Sequence, residues 1–156
     1  MPKQSSSGCN CKEVRGYLDR LPHHRQHGGI EINLLSIKIK AEKMRNGGIF
    51  VPFESDNPLP KNVSLRFSAA GDNFDGFTLK WQVTNDRREA NAVNCLRGDF
   101  YLSDTSVRGQ EARGEKTYYI GRHYVECVAE KDGVVYGRSD PFVVNITNDD
   151  ASRRNW

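Results

Sequence analysis

The side chains best suited to hold a metal stand near the start of the chain: Cys9 and Cys11, then His23, His24 and His27. Zinc asks for four thiolate or imidazole ligands in a tetrahedron. The Cys-x-Cys step is shorter than the usual ligand spacing, and no apolar finger core lies between the cysteines and the histidines. No metal is expected there, and His23, His24, Arg25 and His27 read as a solvated basic connector. Catalysis finds no better footing. His123 is the one histidine beyond this region, and no serine or cysteine carries an elbow motif near it. No glycine-rich phosphate loop is present. The loop Asp72 to Gly76 has two carboxylates and is too short for a calcium loop. The reading is a non-enzyme with no catalytic residue and no cofactor. The pair Arg97-Gly98 is different in kind. A guanidinium grips an anion by its planar fork, and a neighbouring glycine lets the backbone come close to it. Arg97 is therefore the strongest single ligand-contact candidate, with a carboxylate such as Asp99 as its competing partner.

These residues need a scaffold, and composition limits which one. The 156 residues suffice for one domain with a core. Hydrophobic residues make up 37% and charged ones 28%, so the surface is polar but a core is affordable. Basic and acidic residues intermingle to a net charge of +3, which argues against binding duplex nucleic acid, where clustered cations are needed. No apolar run is long enough to span a bilayer, and residues 1–29 contain no apolar signal-peptide stretch. The expectation is a soluble, cytoplasmic protein with no membrane partner. In that compartment Cys9, Cys11, Cys95 and Cys127 stay reduced. The glycosylation patterns at Asn62 and Asn145, and the Arg97-Gly98-Asp99 tripeptide, carry no extracellular meaning there.

Three segments are expected: a tail with a short helix over residues 1–29, a β-sandwich over 30–147, and a C-terminal tail over 148–156. Residues 12–21 place Val14, Tyr17, Leu18 and Leu21 on one helical face, too short a helix to stand alone. From Ile30 the period is two. Leu65, Phe67 and Ala69 share a face, as do Phe77, Leu79, Trp81 and Val83, and as do His123, Val125, Cys127 and Ala129. The alternation slips at Leu34-Leu35, which marks a bulge or a break. Pro52 makes residues 49–53 an edge strand, and Lys131-Asp132-Gly133 signals a type I′ hairpin. The fold class is all-β: an antiparallel, immunoglobulin-like sandwich with Trp81 on a middle strand but without the inter-sheet disulfide. Its expected core is Phe67, Leu79, Trp81, Val125, Cys127 and Phe142.

Ordered motifs cover most of this region: residues 58–69 (PLPKNVSLRFSA), 81–85 (WQVTN), 96–101 (LRGDFY), 121–133 (GRHYVECVAEKDG) and 137–146 (GRSDPFVVNI). Together they closely resemble the adenylyl/guanylyl cyclase and SMODS C-terminal sensor domain. The resemblance implies a domain usually fused behind a bacterial nucleotidyltransferase that makes cyclic or oligonucleotide signals in antiphage defence, and a role in sensing a nucleotide. The nucleotidyltransferase motifs themselves are absent. Met1 and the tail favour a separate gene for the sensor. Arg122 stands where the family pattern has Thr, and Tyr124 where it has Trp.

Within those motifs the residues able to stack on a base or hold a phosphate are Asn85, Arg97, Gly98, Tyr101, Arg122, His123, Tyr124, Glu126 and Arg138. Structural roles compete for each. Glu126 and Arg138 are placed to pair across the last hairpin, and His123 to sit as a satisfied inward imidazole. The implied partners are a nucleotide or cyclic oligonucleotide ligand and a nucleotidyltransferase. The alternative is a protein-interaction module that docks on such an enzyme through a strand edge or the short helix, without binding a small molecule.

Overall fold

The computed structural model describes residues 11–85 and 96–148. Cys9 and Cys95 lie outside the described residues, as do the side chain of Cys11 and most of the C-terminal tail. Among the described residues one helix, α1 (Cys11–Arg20), precedes eleven strands: β1 (Ile37–Arg45), β2 (Ile49–Pro52), β3 (Pro58–Leu59), β4 (Ser64–Gly71), β5 (Thr78–Asn85), β6 (Phe100–Leu102), β7 (Thr105–Val107), β8 (Gln110–Lys116), β9 (Gly121–Lys131), β10 (Val134–Arg138) and β11 (Phe142–Ile146). They form two sheets. One runs β2-β1-β4-β8-β7; the other runs β3-β11-β9-β5-β6, with β10 on the far end of β9. Nearly all neighbours are antiparallel, the exception among the named strands being the short β3 beside β11.

The core lies between the sheets. Phe67, Trp81, Val125 and Cys127 are almost fully buried, and Leu79 and Phe142 join them. Trp81 sits opposite Cys127 in register, and its indole Nε1 donates to Ser103 Oγ at 3.0 Å. Cys127 is a free thiol; burial pushes its pKa up, so it is packed and inert. Phe53, Phe67 and Phe142 meet edge to face with centroids 5.4–6.5 Å apart, the arrangement that ring quadrupoles favour.

The local signals act as their chemistry dictates. Among the described residues β2 is an edge strand, paired with β1 alone. Asp132 and Gly133 both take positive φ, 52° and 79°, as a type I′ turn requires. The slip at Leu34-Leu35 is a break. Regular β1 begins at Ile37, while residues 30–35 run along the β10 edge through Ile32 N–H to Val135 C=O and Leu35 N–H to Tyr136 C=O.

The N-terminal segment is where the chain departs from expectation. The apolar stripe of α1 is used: Leu18 is fully buried against Tyr124 and Val143, with Val14, Tyr17 and Leu21 packed around it. The next residues are no solvated connector. His24 is 5% exposed, its Nε2 bonded to Glu126 at 3.1 Å, and His27 bonds Glu130 at 2.7 Å. Residues 11–29 thus lie as a strap across the outer face of the β9 sheet. A helix too short to persist alone gains its stability from that docking, with burial of Leu18 contributing ~1.5–3 kcal/mol.

Candidate functional site

Strand β9 sorts the candidate residues by its pleat, since successive side chains point to opposite faces. His123, Val125 and Cys127 face inward. Tyr124, Glu126 and Val128 face outward, beneath the strap.

Inward, where β4 and β9 begin and β5, β8 and β11 end, the sheets part around a cavity of about 360 Å³. Leu65, Phe67, Val83, Val125, Val144 and Ile146 make its apolar walls. The rest of its lining is polar and aromatic: the buried Asn85 deeper in with the half-buried His123, and Arg97, Tyr101, Glu115, Lys116, Tyr118 and Tyr119 toward the mouth. The volume lies within the range of small-ligand pockets, and the pairing of apolar walls with a few convergent polar groups is what such pockets show.

Arg97 is held at this mouth from every side. Its backbone N–H donates to Asn85 Oδ1 at 2.8 Å. Its guanidinium forks onto the Glu115 carboxylate at 2.6 and 3.1 Å, and Nε lies 3.3 Å from the Tyr101 hydroxyl. Arg113 approaches the same carboxylate, with Nε 2.8 Å from Oε2. Both guanidiniums lie by the Tyr101 ring, at 4.7 and 4.6 Å from its centroid. Burial opposes the charge on Arg97, but the bonds and charge of Glu115, helped by Tyr101, outweigh it and raise its pKa further above the usual range. Asp99, two residues on, pairs with Arg25 instead at 2.8 Å. That bond and the Phe100 amide hold the Asp99 carboxyl below its ordinary pKa.

Gly98 serves its own chain. A Cβ there would collide with the carbonyl oxygen of His23 and crowd the His24 backbone. The backbone that approaches is the strap. The Arg25 N–H donates to the Gly98 carbonyl at 2.9 Å, and Gln82 Nε2 bonds the carbonyls of both Arg25 and Gly98. His23 Nε2 donates to the Asn85 carbonyl. One face of the 97–98 segment therefore touches the pocket, and the other touches the strap.

The remaining candidates fall elsewhere. His123 Nε2 donates to the Tyr119 carbonyl at 3.0 Å while its ring lines the pocket. Tyr124 packs on Tyr17, centroids 6.1 Å apart, on the outer face. Glu126 is buried there, bonded to His24 at 3.1 Å, with the guanidiniums of Arg15 and Arg138 at 3.8 Å each; a buried carboxylate needs such cations as these two arginines around it. Arg138 also holds Glu31 at 2.8 Å. Arg122 pairs with Asp56 at 2.9 Å. Asn85, Arg97, Tyr101 and His123 are brought together, and Tyr124, Glu126, Arg122 and Arg138 are not among them. The sequence reading passed over Arg113, Glu115, Tyr118 and Tyr119. The signal was there in the run Glu115-Lys116-Thr117-Tyr118-Tyr119, charged groups leading into paired aromatics.

Among the described residues, no cluster of His, Cys, Asp and Glu is placed to hold a metal ion. His23, His24 and His27 are directed to separate partners on β5 and β9. Among the same residues, no helix is long and apolar enough to cross a membrane.

The chain belongs to the Adenylyl/Guanylyl and SMODS C-terminal sensor domain family, whose model matches residues 21–147. It is thus a sensor domain of the kind found in nucleotide cyclase-like proteins. The match begins within the strap, ahead of the first strand. No curated protein sequence matches the chain. Among solved structures it is similar to the soluble domain of PmoD from a Methylocystis species, at 8% identity and a TM-score of 0.45, over 74% of this chain and 98% of that one.

Proposed function

We propose that this domain senses a nucleotide-type ligand in a cytoplasmic bacterial antiphage signalling system and is not itself an enzyme. The observation that supports it is the apolar-walled pocket with Arg97 and Tyr101 at its mouth. A base enters between the aliphatic walls, Tyr101 and the Tyr118-Tyr119 pair offer stacking faces, and Arg97 meets a phosphate. Asn85 and His123 complete the site. Tyr124, Glu126 and Arg138 serve the strap, and Gly98 lets the strap reach the loop that carries Arg97. A nucleotidyltransferase is the partner whose product or activity such a sensor would report.

A thermal-shift screen against mononucleotides, cyclic nucleotides and short oligonucleotides tests this. A ligand at a hundred times its dissociation constant should add about 2.7 kcal/mol of stability. Arg97→Ala should weaken the best ligand about tenfold or more, one charge-assisted phosphate contact. Because Arg97 also holds Glu115, the variant will melt lower, so stability and affinity are measured on the same sample. Lower stability with unchanged affinity returns Arg97 to the scaffold.

The second reading is an interaction module. Ile30 and Leu34, 66% and 68% exposed along the β10 edge, favour it. The stripe of α1 is already spent on its own sheet, so this edge would be the docking element in its place. A nucleotide screen without any shift supports that reading.

A further inference from the structure

The pocket mouth carries its own anion. Two guanidiniums, from Arg97 on the 97–98 segment and Arg113 on β8, converge on the single carboxylate of Glu115. The fork of Arg97 takes both oxygens at once. That is how an arginine takes a phosphate: two parallel N–H donors on two oxygens of one planar or tetrahedral group. The Glu115 side chain is only 11% exposed, yet it lines the pocket beside Arg97, and Arg113 lies behind it. Counting Arg97, Lys116 and the adjoining Arg113 against Glu115 and the Asp104 that Arg113 also meets at 3.4 Å, the site retains an excess of positive charge with the carboxylate in place. Arg113 holds Oε2 alone at 2.8 Å, while Arg97 spans both oxygens. Glu115 can therefore release one guanidinium and keep the other.

We infer that Glu115 is a resident competitor for the ligand's anionic group: it occupies the fork of Arg97 in the empty domain and yields it when a phosphate enters. The inference rests on the nucleotide reading above for the identity of the ligand, but the seat itself is a property of Arg97, Arg113 and Glu115. Two consequences follow from the geometry. A phosphoryl group must outbid an internal carboxylate, so singly charged or neutral ligands are rejected at the mouth. The exchange also breaks a tie between β8 in one sheet and the 97–98 segment of the other, which carries the event from the pocket to the loop that touches the strap.

The experiment uses the full chain with three probes, inorganic pyrophosphate, adenosine 5′-monophosphate and adenosine, by calorimetry on wild type, Glu115→Gln and Glu115→Gln/Arg97→Ala. Glutamine keeps an acceptor for Arg113 and removes the competing charge. The expected result is pyrophosphate binding about tenfold tighter in Glu115→Gln, the exchange of one charge-assisted bond, with the gain lost in the double variant. Uncharged adenosine, which has no anion to exchange for the carboxylate, should be rejected by Glu115→Gln and wild type alike. Pyrophosphate binding that is unchanged or weaker in Glu115→Gln overturns the inference. If Glu115→Gln does not fold, Glu115→Asp replaces it: one methylene shorter, it cannot span both guanidiniums, and it should give a smaller gain of the same sign. Its failure to give any gain is equally decisive. If pyrophosphate gains but the monophosphate binds no better than pyrophosphate in any variant, the seat stands and the nucleotide reading falls.

Discussion

Strand β9 has two faces that do opposite things with the same kinds of residue. On the inner face, His123 and Val125 border a cavity that opens to solvent, and its charged groups stand at the rim. On the outer face, Tyr124 and Glu126 are sealed under α1 and the strap, and the charged groups are at the centre. The inner arrangement has a space and a rim of donors, so it can receive something. The outer one has already received its occupant, residues 11–29 of the same chain. A polar seam of this sort is a weaker joint than an aliphatic one, because each buried polar group must recover the hydrogen bonds it gave up to water. Gln82 Oε1, Thr84 Oγ1 and His24 Nδ1, all buried there, make no hydrogen bond. The two faces meet at residues 97–98, which present Arg97 to the pocket and Gly98 to the strap.

The comparison breaks most visibly at Leu18. If the strap is folded structure, Leu18→Ala should lower unfolding free energy by ~2–5 kcal/mol, the usual cost of an emptied leucine site. Chemical denaturation measures it. A loss below ~0.5 kcal/mol would make residues 11–29 the dispensable tail that their polar composition suggests. Next in size is Gly98→Ala. Its methyl group meets backbone, which cannot swing aside, so the strap must lift or the 97–98 loop must shift. Overpacking of this kind costs ~1–3 kcal/mol. Hydrogen exchange should show faster exchange at His24 and Arg25, whose amides bond Leu21 and Gly98. Unchanged exchange at both would mean that the contact is easily accommodated and the two faces are independent.

How much of this could be read in advance divides along the same line. The inner face was legible. Phe67, Leu79, Trp81, Val125 and Cys127 alternate with polar residues, and that period alone placed them in the core and fixed the all-β class. The type I′ turn at Asp132-Gly133 and the edge strand at Pro52 rest on backbone rules that act within a few residues. The stripe of α1 was legible too, but not its destination: Tyr124 and Val143 lie more than a hundred residues away. The partner of Arg97 was hidden for a related reason. Strand β8, QEARGEK, has a single buried apolar side chain, Ala112, so no hydrophobic period announces it as a strand. Without that strand, nothing brings Glu115 to Arg97. The family motif could not separate the faces either, since GRHYVECVAE runs along one strand and delivers alternate residues to each.

The smallest expected effect concerns the rim of the outer seam, where Glu130 accepts from Lys80 at 2.7 Å and from His27 at 2.7 Å. The bond to Lys80 first, and that to His27 second, hold the Glu130 carboxyl below its ordinary value of 4.5. A carboxyl with a depressed folded pKa binds fewer protons than the unfolded chain does near that value. Its contribution to stability is therefore complete above about 4.5 and is lost as the pH falls through the lower folded value. Because both partners keep some contact with water, the contribution should be under ~1 kcal/mol. Comparing Glu130→Gln with wild type by denaturation from pH 7 to pH 3 isolates it. The variant should be slightly less stable at pH 7, and the gap should close below about pH 4.5. A gap that persists at pH 3 would assign the effect to lost packing rather than charge. A gap that widens on acidification would mean that Lys80 and His27 do not stabilise the carboxylate at all, and that the strap is held by its other contacts, among them Arg25 with Gly98 and Gln82.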